Sequence, residues 1–572
     1  MTFDMTAAAI GFAREALLAG EPETALGVLG PVLAQDGAAA EARYWMASAL
    51  MANGDQPGAK VALTAAQSVH AAALAAARGA DVERCRTDGD YAAAIAGKLY
   101  QADHVAMASA IFALAVAAGH AAPTSLVTYA LALQHQGRPE EAIAAFRGVL
   151  ASHPSPVAHA FMLYPHLLLD DAGARYAAEA RAWSRRWSPA GGEACPARPI
   201  AGRKLRIGYV APNFTGTQVR QFIAPVLEAH DRTAVEVFLY PARAETEAGW
   251  TCPLSIRPIG HLADTDAAGL MRQDGIDVLV DCWGHSAGHR LAVFAHRPAP
   301  VQAAWINYIQ TTGLDSIDHV LHAGDGELAS DPQFTETIWP IGPVFNVFRP
   351  SPERLPPAPT PSLRTGRVTF GSFNHPCKLS DETVRAWGRI LKAAPTSRLV
   401  LKYAYFADPV LQRVTQARFA GHGVAPDRIV FEGKTTGSEY LAAFQTIDLA
   451  LDPSPAPGST TTLEALSNGV PVLSMAPERG TRSHGYTRSL ALAAGLPELL
   501  AEDWDDYVRR AVALTADPAA LDRLRARVRP GFDEGPLRDE IGFTRRVEQA
   551  FRTMVERRLQ AADPALEAQG AA

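Results

Sequence analysis

The stretch "PSPAPGSTTTLEALSNGVPVLSM", residues 453–475, sets four hydroxyl side chains in a row directly after a turn rich in proline and glycine: Ser459, Thr460, Thr461 and Thr462. An amphipathic run from about Thr461 to Asn468 follows, and Gly469 closes it. The row therefore falls at an N-cap and first helical turn. There the free backbone N–H groups and the positive end of the helix dipole favour an anion. One Ser or Thr satisfies a cap. Four exceed that need, and the extra hydroxyls suit a phosphate that must bind and leave. A second feature is "GSFNHPCKLSDETVRAWGRILKAAP", residues 371–395. A strand ends at Asn374, a polar turn brings Lys378, and a helix starts near Asp381. Alone, a lysine at a helix start is an ordinary solvated side chain. On the same sheet edge as the hydroxyl row, Lys378 completes a phosphate clamp. His285 ends "LVDCWGH" at the carboxyl edge of an earlier sheet, and is a candidate for acid–base work or for orienting an acceptor.

These residues need strands to hold them. "KLRIGYVAPNF" (204–214), "VEVFLY" (235–240), "IDVLVDCWGH" (276–285), "VQAAWINYI" (301–309) and "DHVLHA" (318–323) read as buried strands, with helical stretches between some of them. After a Pro-rich segment at 349–366 a second set follows: "VTFGSFN" (368–374), "RLVLKY" (398–403), "RIVFEG" (428–433), "IDLALDP" (447–453) and "PVLSM" (471–475). Strands alternating with helices imply parallel sheets covered on both faces. Two doubly wound domains are expected, facing each other across a cleft, with ligands beyond the carboxyl ends of the strands.

The first ~190 residues are Ala-rich, poor in strand formers and helical in pattern. "GEPETALGVLGPVL" from Gly20, "GDQPGAKVALTAA" from Gly54, "GDYAAAIAGKL" from Gly89 and "GRPEEAIAAFRGVL" from Gly137 resemble one another. Gly20, Gly54 and Gly89 keep the period of about 34 residues that marks tetratricopeptide (TPR) repeats, with Gly at each turn, and Gly137 breaks it. Such repeats stack into a solenoid whose groove holds a protein or peptide.

A chain of 572 residues exceeds one core and implies about three or four folding units. A net charge of −7 argues against a nucleic-acid partner. No apolar run reaches the ~18–20 residues of a membrane span. No basic-then-apolar leader is visible, so the cytoplasm is the expected compartment. The five cysteines are scattered and form neither a disulfide framework nor a metal-ligand spacing.

"RIGYVAPNF", "DCWGHSAGHRLAVFAHRPAPVQAAWINYIQTTGLDSIDHVL", "FGSFNHPCKLSDETVRAWGRILKAAPTSRLVLKY" and "LDPSPAPGSTTTLEALSNGVPVL" together resemble the catalytic region of O-GlcNAc-transferase-type (SPINDLY-like) protein glycosyltransferases, over roughly 204–515 and in the family's order. The resemblance implies a TPR-like α-helical solenoid followed by an α/β GT-B fold of two Rossmann-like domains. It implies metal-independent transfer of a sugar from a nucleotide-sugar to Ser or Thr hydroxyls of a protein, with no cofactor. By position, Lys378 would neutralise the leaving phosphate. Ser459, Thr460, Thr461 and Thr462 would hold the phosphates, Glu464 the ribose and Tyr440 the base, with Asn374 and His375 in the turn before Lys378. The expected divisions are 1–188 (repeats), 189–203 (linker), 204–350 (first Rossmann-like half), 351–366 (connector), 367–525 (donor-binding half) and 526–572 (C-terminal helix and tail).

The chain departs from the family pattern in places. Thr217 stands where animal enzymes carry a His, Pro457-Gly458 replaces Asn-Gly, His375 replaces a common Gln, and Tyr440 replaces a base-contacting His. These departures leave room for another donor. The first expectation is a flagellin-modifying transferase using a CMP-nonulosonic acid, with flagellin held in the repeat groove. A UDP-N-acetylglucosamine transferase acting on many cytosolic proteins is the alternative. A non-catalytic scaffold with a degenerate GT-B half is the third.

Overall fold

The computed structural model describes residues 5–35, 40–169, 172–189, 192, 195–243, 250–306, 309–324, 328–477 and 482–562. Positions 190–191 and 193–194 of the expected linker, and the tail from 563, lie outside these residues. Two compact units form, and they do not follow chain order. One comprises Met1–Pro154, Leu355–Pro477 and Glu498–Arg527, the other Ser155–Arg354, Glu478–Pro497 and Val528–Ala572.

Among the described residues the first unit opens with nine helices: α1 (Met5–Ala19), α2 (Pro22–Gln35), α3 (Ala40–Ala52), α4 (Gln56–Ala77), α5 (Val82–Thr87), α6 (Gly89–Gln101), α7 (Val105–Ala117), α8 (Pro123–His135) and α9 (Pro139–Ser152). The pairs α1/α2, α3/α4, α6/α7 and α8/α9 pack as helical hairpins. Alanine permits the close approach: Ala92, Ala96, Ala106, Ala108, Ala115, Ala130, Ala132 and Ala142 are all fully buried. Three hairpins turn as the sequence predicts. Gly20, Gly54 and Gly137 take positive φ, and each turn closes with the paired bonds of a Schellman motif, such as Gly54 N–H to Met51 O and Asp55 N–H to Leu50 O. Pro22 and Pro139 then open the next helices.

The fourth turn differs from expectation. Gly89 is the first residue of α6, where Asp88 caps the helix through Tyr91 N–H, so it turns nothing. The turn of that hairpin is at Asp103, with φ 64° and the same pair of bonds, to Tyr100 O and Leu99 O. Asp tolerates the left-handed region better than most residues. The period of about 34 is therefore kept from Asp103 to Gly137. What breaks the spacing is the short extra helix α5, inserted ahead of α6.

The remainder of this unit is a parallel sheet. The other unit carries its own parallel sheet, which comes earlier in the chain. In that earlier sheet β1 (Leu205–Ala211), β2 (Val235–Pro241), β3 (Ser255–Ile256), β4 (Val278–Asp281), β5 (Val301–Ala304), β6 (His319–His322) and β7 (Thr337–Pro340) are ordered 3-2-1-4-5-6-7. Helices α10 (Pro156–His166) and α11 (Ala172–Trp187) continue the helical run but belong to this unit. Tyr176 and Trp183 are buried in one core with Phe238, Ile259 and Met271. At Gly313 a Cβ would meet the Ala180 carbonyl carbon at 2.4 Å, so α11 lies directly on the sheet's connections. The C-terminal helix Glu540–Ala562 returns to the same unit, where the Glu548 carboxylate accepts from His230 Nδ1 and Asp231 N–H, both at 2.8 Å.

The sheet of the first unit contains β8 (Thr369–Ser372), β9 (Arg398–Lys402), β10 (Ile429–Glu432), β11 (Leu449–Leu451), β12 (Val472–Met475) and β13 (Leu500–Ala501), ordered 10-9-8-11-12-13. Sequence patterning missed β3, β7 and β13; two of these are only two residues long. Helix Pro409–Ala420, which follows β9, packs on α3, α4 and α7. Asp408 joins the repeats to the sheet. Its Oδ2 accepts from Ala106 N–H at 2.7 Å and Met107 N–H at 3.0 Å, at the start of α7. Its Oδ1 accepts from Val410 N–H at 2.8 Å and Leu411 N–H at 3.3 Å. One buried carboxylate thus caps two helices from distant parts of the chain.

Candidate active site

In each sheet the strand order reverses between two central strands, and ligands of such folds bind beyond the carboxyl ends at that point. In the second sheet the reversal lies between β8 and β11. Both sequence features leave the sheet there. β8 runs into Asn374, a 3₁₀ turn at Pro376–Lys378 and helix Asp381–Ala393, whose N-cap Ser380 accepts from Thr383 N–H. β11 runs into Asp452, the Pro-rich loop and helix Thr460–Ser467, which ends before Gly469 at φ 79°.

The two connections are bonded to each other. Lys378 Nζ donates to the Pro457 carbonyl at 2.7 Å. Thr461 Oγ1 donates to Asn374 Oδ1 at 3.0 Å, and Asn374 Nδ2 donates to Asp452 Oδ1 at 3.4 Å. Lys378, Asn374 and the hydroxyl row therefore meet on one loop. Ser459 is the N-cap of the helix, yet its side chain makes no capping bond. Among the described residues the buried Thr462 hydroxyl has no hydrogen-bond partner. Gly458 has no room for a side chain: a Cβ would lie 2.3 Å from Thr462 Oγ1, 2.8 Å from Asp452 Oδ1 and 2.9 Å from Thr461 Oγ1.

Asp452 organises the loop, and the sequence reading passed over it. Its Oδ1 accepts Gly458 N–H at 2.7 Å and its Oδ2 accepts Ser474 Oγ at 3.1 Å. Tyr507 Oη fixes its backbone by donating to the Asp452 carbonyl at 3.0 Å. Burial pushes the Asp452 carboxyl up to about 6, against the Gly458 N–H and the Lys378 charge, which favour ionisation. The signal was present in "IDLALDP": an acidic residue ends an otherwise apolar strand. Burial also lowers the Lys378 pKa, opposed by Cys377 and Asp452.

The remaining expected donor residues lie on the same sheet. Tyr440 Oη donates to Glu464 Oε2 at 2.6 Å, so the two side chains assigned to base and ribose form a pair. His375 Nδ1 accepts from Cys377 N–H at 3.0 Å, and its ring packs on Tyr403 and Tyr405. Burial holds His375 far below the usual histidine range.

His285 differs from expectation. It belongs to the other unit and is only 1 % exposed. Its Nε2 bonds the Thr312 carbonyl at 2.7 Å, and its ring stands edge-on to Trp183 and His289. Burial lowers its pKa to about 3. The sequence placed it on an open edge because nothing local shows that Trp183, about a hundred residues earlier, covers it. Thr217 opens helix Thr217–Ala229. Among the described residues no group of three or more His, Cys, Asp or Glu is placed to hold a metal ion, and no helix is long and apolar enough to cross a membrane.

Among protein families, the model of glycosyl transferase family 41 matches residues 193–337 and 361–545. The probable UDP-N-acetylglucosamine–peptide N-acetylglucosaminyltransferase SPINDLY of Oryza sativa subsp. japonica is 34% identical over 386 residues, covering 64% of this chain and 40% of the relative. The probable enzyme of the same description named SEC, from Arabidopsis thaliana, is 28% identical over 369 residues, covering 61% of this chain and 37% of the relative. This chain thus spans about 40% of the length of these plant relatives. Among solved structures, a mutant of the Thermobaculum terrenum O-GlcNAc transferase matches with a TM-score of 0.74 at 27% identity, covering 98% of this chain and 100% of that one.

Proposed function

Because this chain belongs to glycosyl transferase family 41 and has its GT-B fold behind helical repeats, we propose that it transfers N-acetylglucosamine from a UDP-linked donor to Ser and Thr hydroxyls of acceptor proteins. The observation that carries this reading is the loop at the β8/β11 reversal, where Lys378, Asn374 and Thr461 converge on the start of helix Thr460–Ser467. The helix start and its hydroxyls hold the phosphates. Lys378 exchanges its bond to the Pro457 carbonyl for one to the leaving diphosphate. Charge placed where charge develops is worth roughly 10²–10³ in rate per group. The bond from sugar C1 to phosphate oxygen breaks, the bond from C1 to the acceptor oxygen forms, and UDP leaves. The acceptor proton goes to the departing phosphate or to water. Glu464 and Tyr440 take ribose and base.

The relatives' names favour UDP-N-acetylglucosamine as donor, and nothing in the comparisons supports flagellin or a CMP-nonulosonic acid. The acceptor is held on the repeats. A cavity of about 450 Å³ there is lined by Lys60, Leu63, Gln136, Arg138, Glu141 and Arg418, among others, and offers apolar wall and both signs of charge. Tethering raises the effective concentration of acceptor hydroxyls at the site.

The test is the melting temperature of the chain with UDP, CMP and GDP titrated separately, followed by transfer from UDP-N-acetylglucosamine to a peptide. A ligand at about a hundredfold over its Kd stabilises by roughly 2.7 kcal/mol. A shift with UDP and sugar on the peptide support the reading; a shift with CMP alone overturns it.

A further inference from the structure

We propose that the α8–α9 hairpin of the repeats is part of the donor site, with His135 as a positioning residue that holds His375 and, through it, the turn that presents Lys378. This rests on the donor reading above. His135 is the last residue of α8, and its ring lies 5.0 Å from that of His375 and 4.9 Å from that of Tyr405. His375 in turn lies 5.1 Å from Tyr405 and 4.6 Å from Tyr403, so two rings from the sheet and one from the repeats enclose it. His135 is itself fixed from within the repeats, with Nε2 bonded to Tyr100 Oη at 3.1 Å.

The backbone is equally close. At Gly137, two residues on, a Cβ would lie 3.4 Å from the Cys377 carbonyl oxygen and 3.5 Å from that of Pro376. The turn of the hairpin thus rests on the turn that carries Lys378. Nearby, Arg418 of helix Pro409–Ala420 donates to the Leu379 carbonyl at 2.7 Å, one residue after Lys378. Arg418 and Gly137 both line the cavity proposed to hold the acceptor. A protein bound there therefore touches groups that pack on the Lys378 turn.

Among the described residues His135 Nδ1 finds no hydrogen-bond partner, and burial pushes the ring's pKa down to about 4. What it presents to His375 is therefore a neutral flat ring; phenylalanine keeps that ring and gives up only the bond to Tyr100. The experiment is calorimetric titration of the full chain with UDP, alongside its melting temperature. H135A is expected to raise the Kd for UDP fivefold or more, and H135F to stay within twofold of the parent. Tyr405→Leu, which removes the neighbouring ring from the sheet side, should match H135A. Leu29→Ala, buried in α2 within the repeats, should lower the melting temperature and leave the Kd within twofold. The inference is overturned if H135A and Tyr405→Leu bind UDP as the parent does, or if Leu29→Ala weakens binding as much as they do. A parent chain that binds no UDP overturns the donor reading, and this inference with it.

Discussion

At the β8/β11 reversal of the second sheet a lysine, a hydroxyl row and a helix start surround a loop tied together by side chains. At the β1/β4 reversal of the first sheet, which has the same local strand order, the residues are of another kind. Asp281 ends β4 and accepts from Gly284 N–H at 2.7 Å, and its other oxygen is buried with no hydrogen-bond partner among the described residues. His285 is neutral and packed under Trp183. The order of strands supplies a place where a ligand can bind, and side chains decide whether anything anionic does. The second reversal gathers a lysine, hydroxyls and a helix start, as the proposed phosphate site requires, whereas the first gathers a carboxyl and a histidine that burial pushes toward neutrality.

The largest test of that contrast is Lys378→Ala. Turnover should fall roughly 10²–10³-fold, with binding of the acceptor protein unchanged in a pull-down. Full turnover in the variant would remove the leaving-group role. Next is Gly458→Ala, which leaves no position for the new methyl group without moving Thr462, Asp452 or Thr461. The Kd for UDP, read by calorimetry, should rise about tenfold, a cost of about 1.4 kcal/mol.

The third test uses pH. The Asp452 carboxyl titrates at about 6, above the ordinary value of 3.8. As pH falls through about 6 it takes a proton and its hold on Gly458 N–H weakens, so UDP binding should weaken several-fold between pH 7.5 and 5.5. The folded state holds this proton more tightly than the unfolded chain does, so the same group adds stability as pH falls from about 6 toward 4. Loss of both pH effects in Asp452→Asn, set against the titration of UDP's own phosphate, would identify Asp452 as the titrating group. Thr461→Val should have a smaller effect: it removes the bond to Asn374 and should raise the UDP Kd about two- to fivefold.

The smallest effects belong to the first reversal. Burial pushes Asp281 up to about 7. Its charge therefore costs stability above that pH, and Asp281→Asn should raise the melting temperature at pH 8 by about 1–3 °C. His285→Gln should change kcat/KM by less than threefold in the soluble fraction. A hundredfold loss there, with the fold intact, would make the two reversals functional equals and end the contrast.

Much of the second reversal was legible in the sequence because its signals are local. The Thr row, the proline loop, Gly469 and the helix start near Asp381 all lie within one or two turns of the residues they position. Lys378 could be placed beside the row because both leave the carboxyl edge of apolar strands. The unread parts depend on distant pairs. Asp452 acquires its role from Gly458, Asn374 and Ser474 together. His135 acquires its role from a histidine far along the chain. His285 was misplaced because Trp183 covers it from another element. In the repeats, Gly20, Gly54 and Gly137 were readable, while Asp103 concealed a turn because Asp does not advertise positive φ. The limits of the compact units were hidden for a similar reason: α10 and α11 continue the helical texture of α1–α9, and the core they enter is shown by the packing of Ala160 and Leu163 of α10 and of Tyr176, Ala180 and Trp183 of α11.

Asp408 gives this arrangement a practical consequence for anyone exchanging parts between relatives. Repeats moved from this chain onto another sheet would arrive without the carboxylate that closes α7, and the sheet left behind would keep one with half of its donors missing. The seam for such a chimaera therefore cannot be cut between the helices and the sheet. It has to carry the segment from Tyr403 to Asp408 along with the repeats, or restore the Asp in the recipient at the same register.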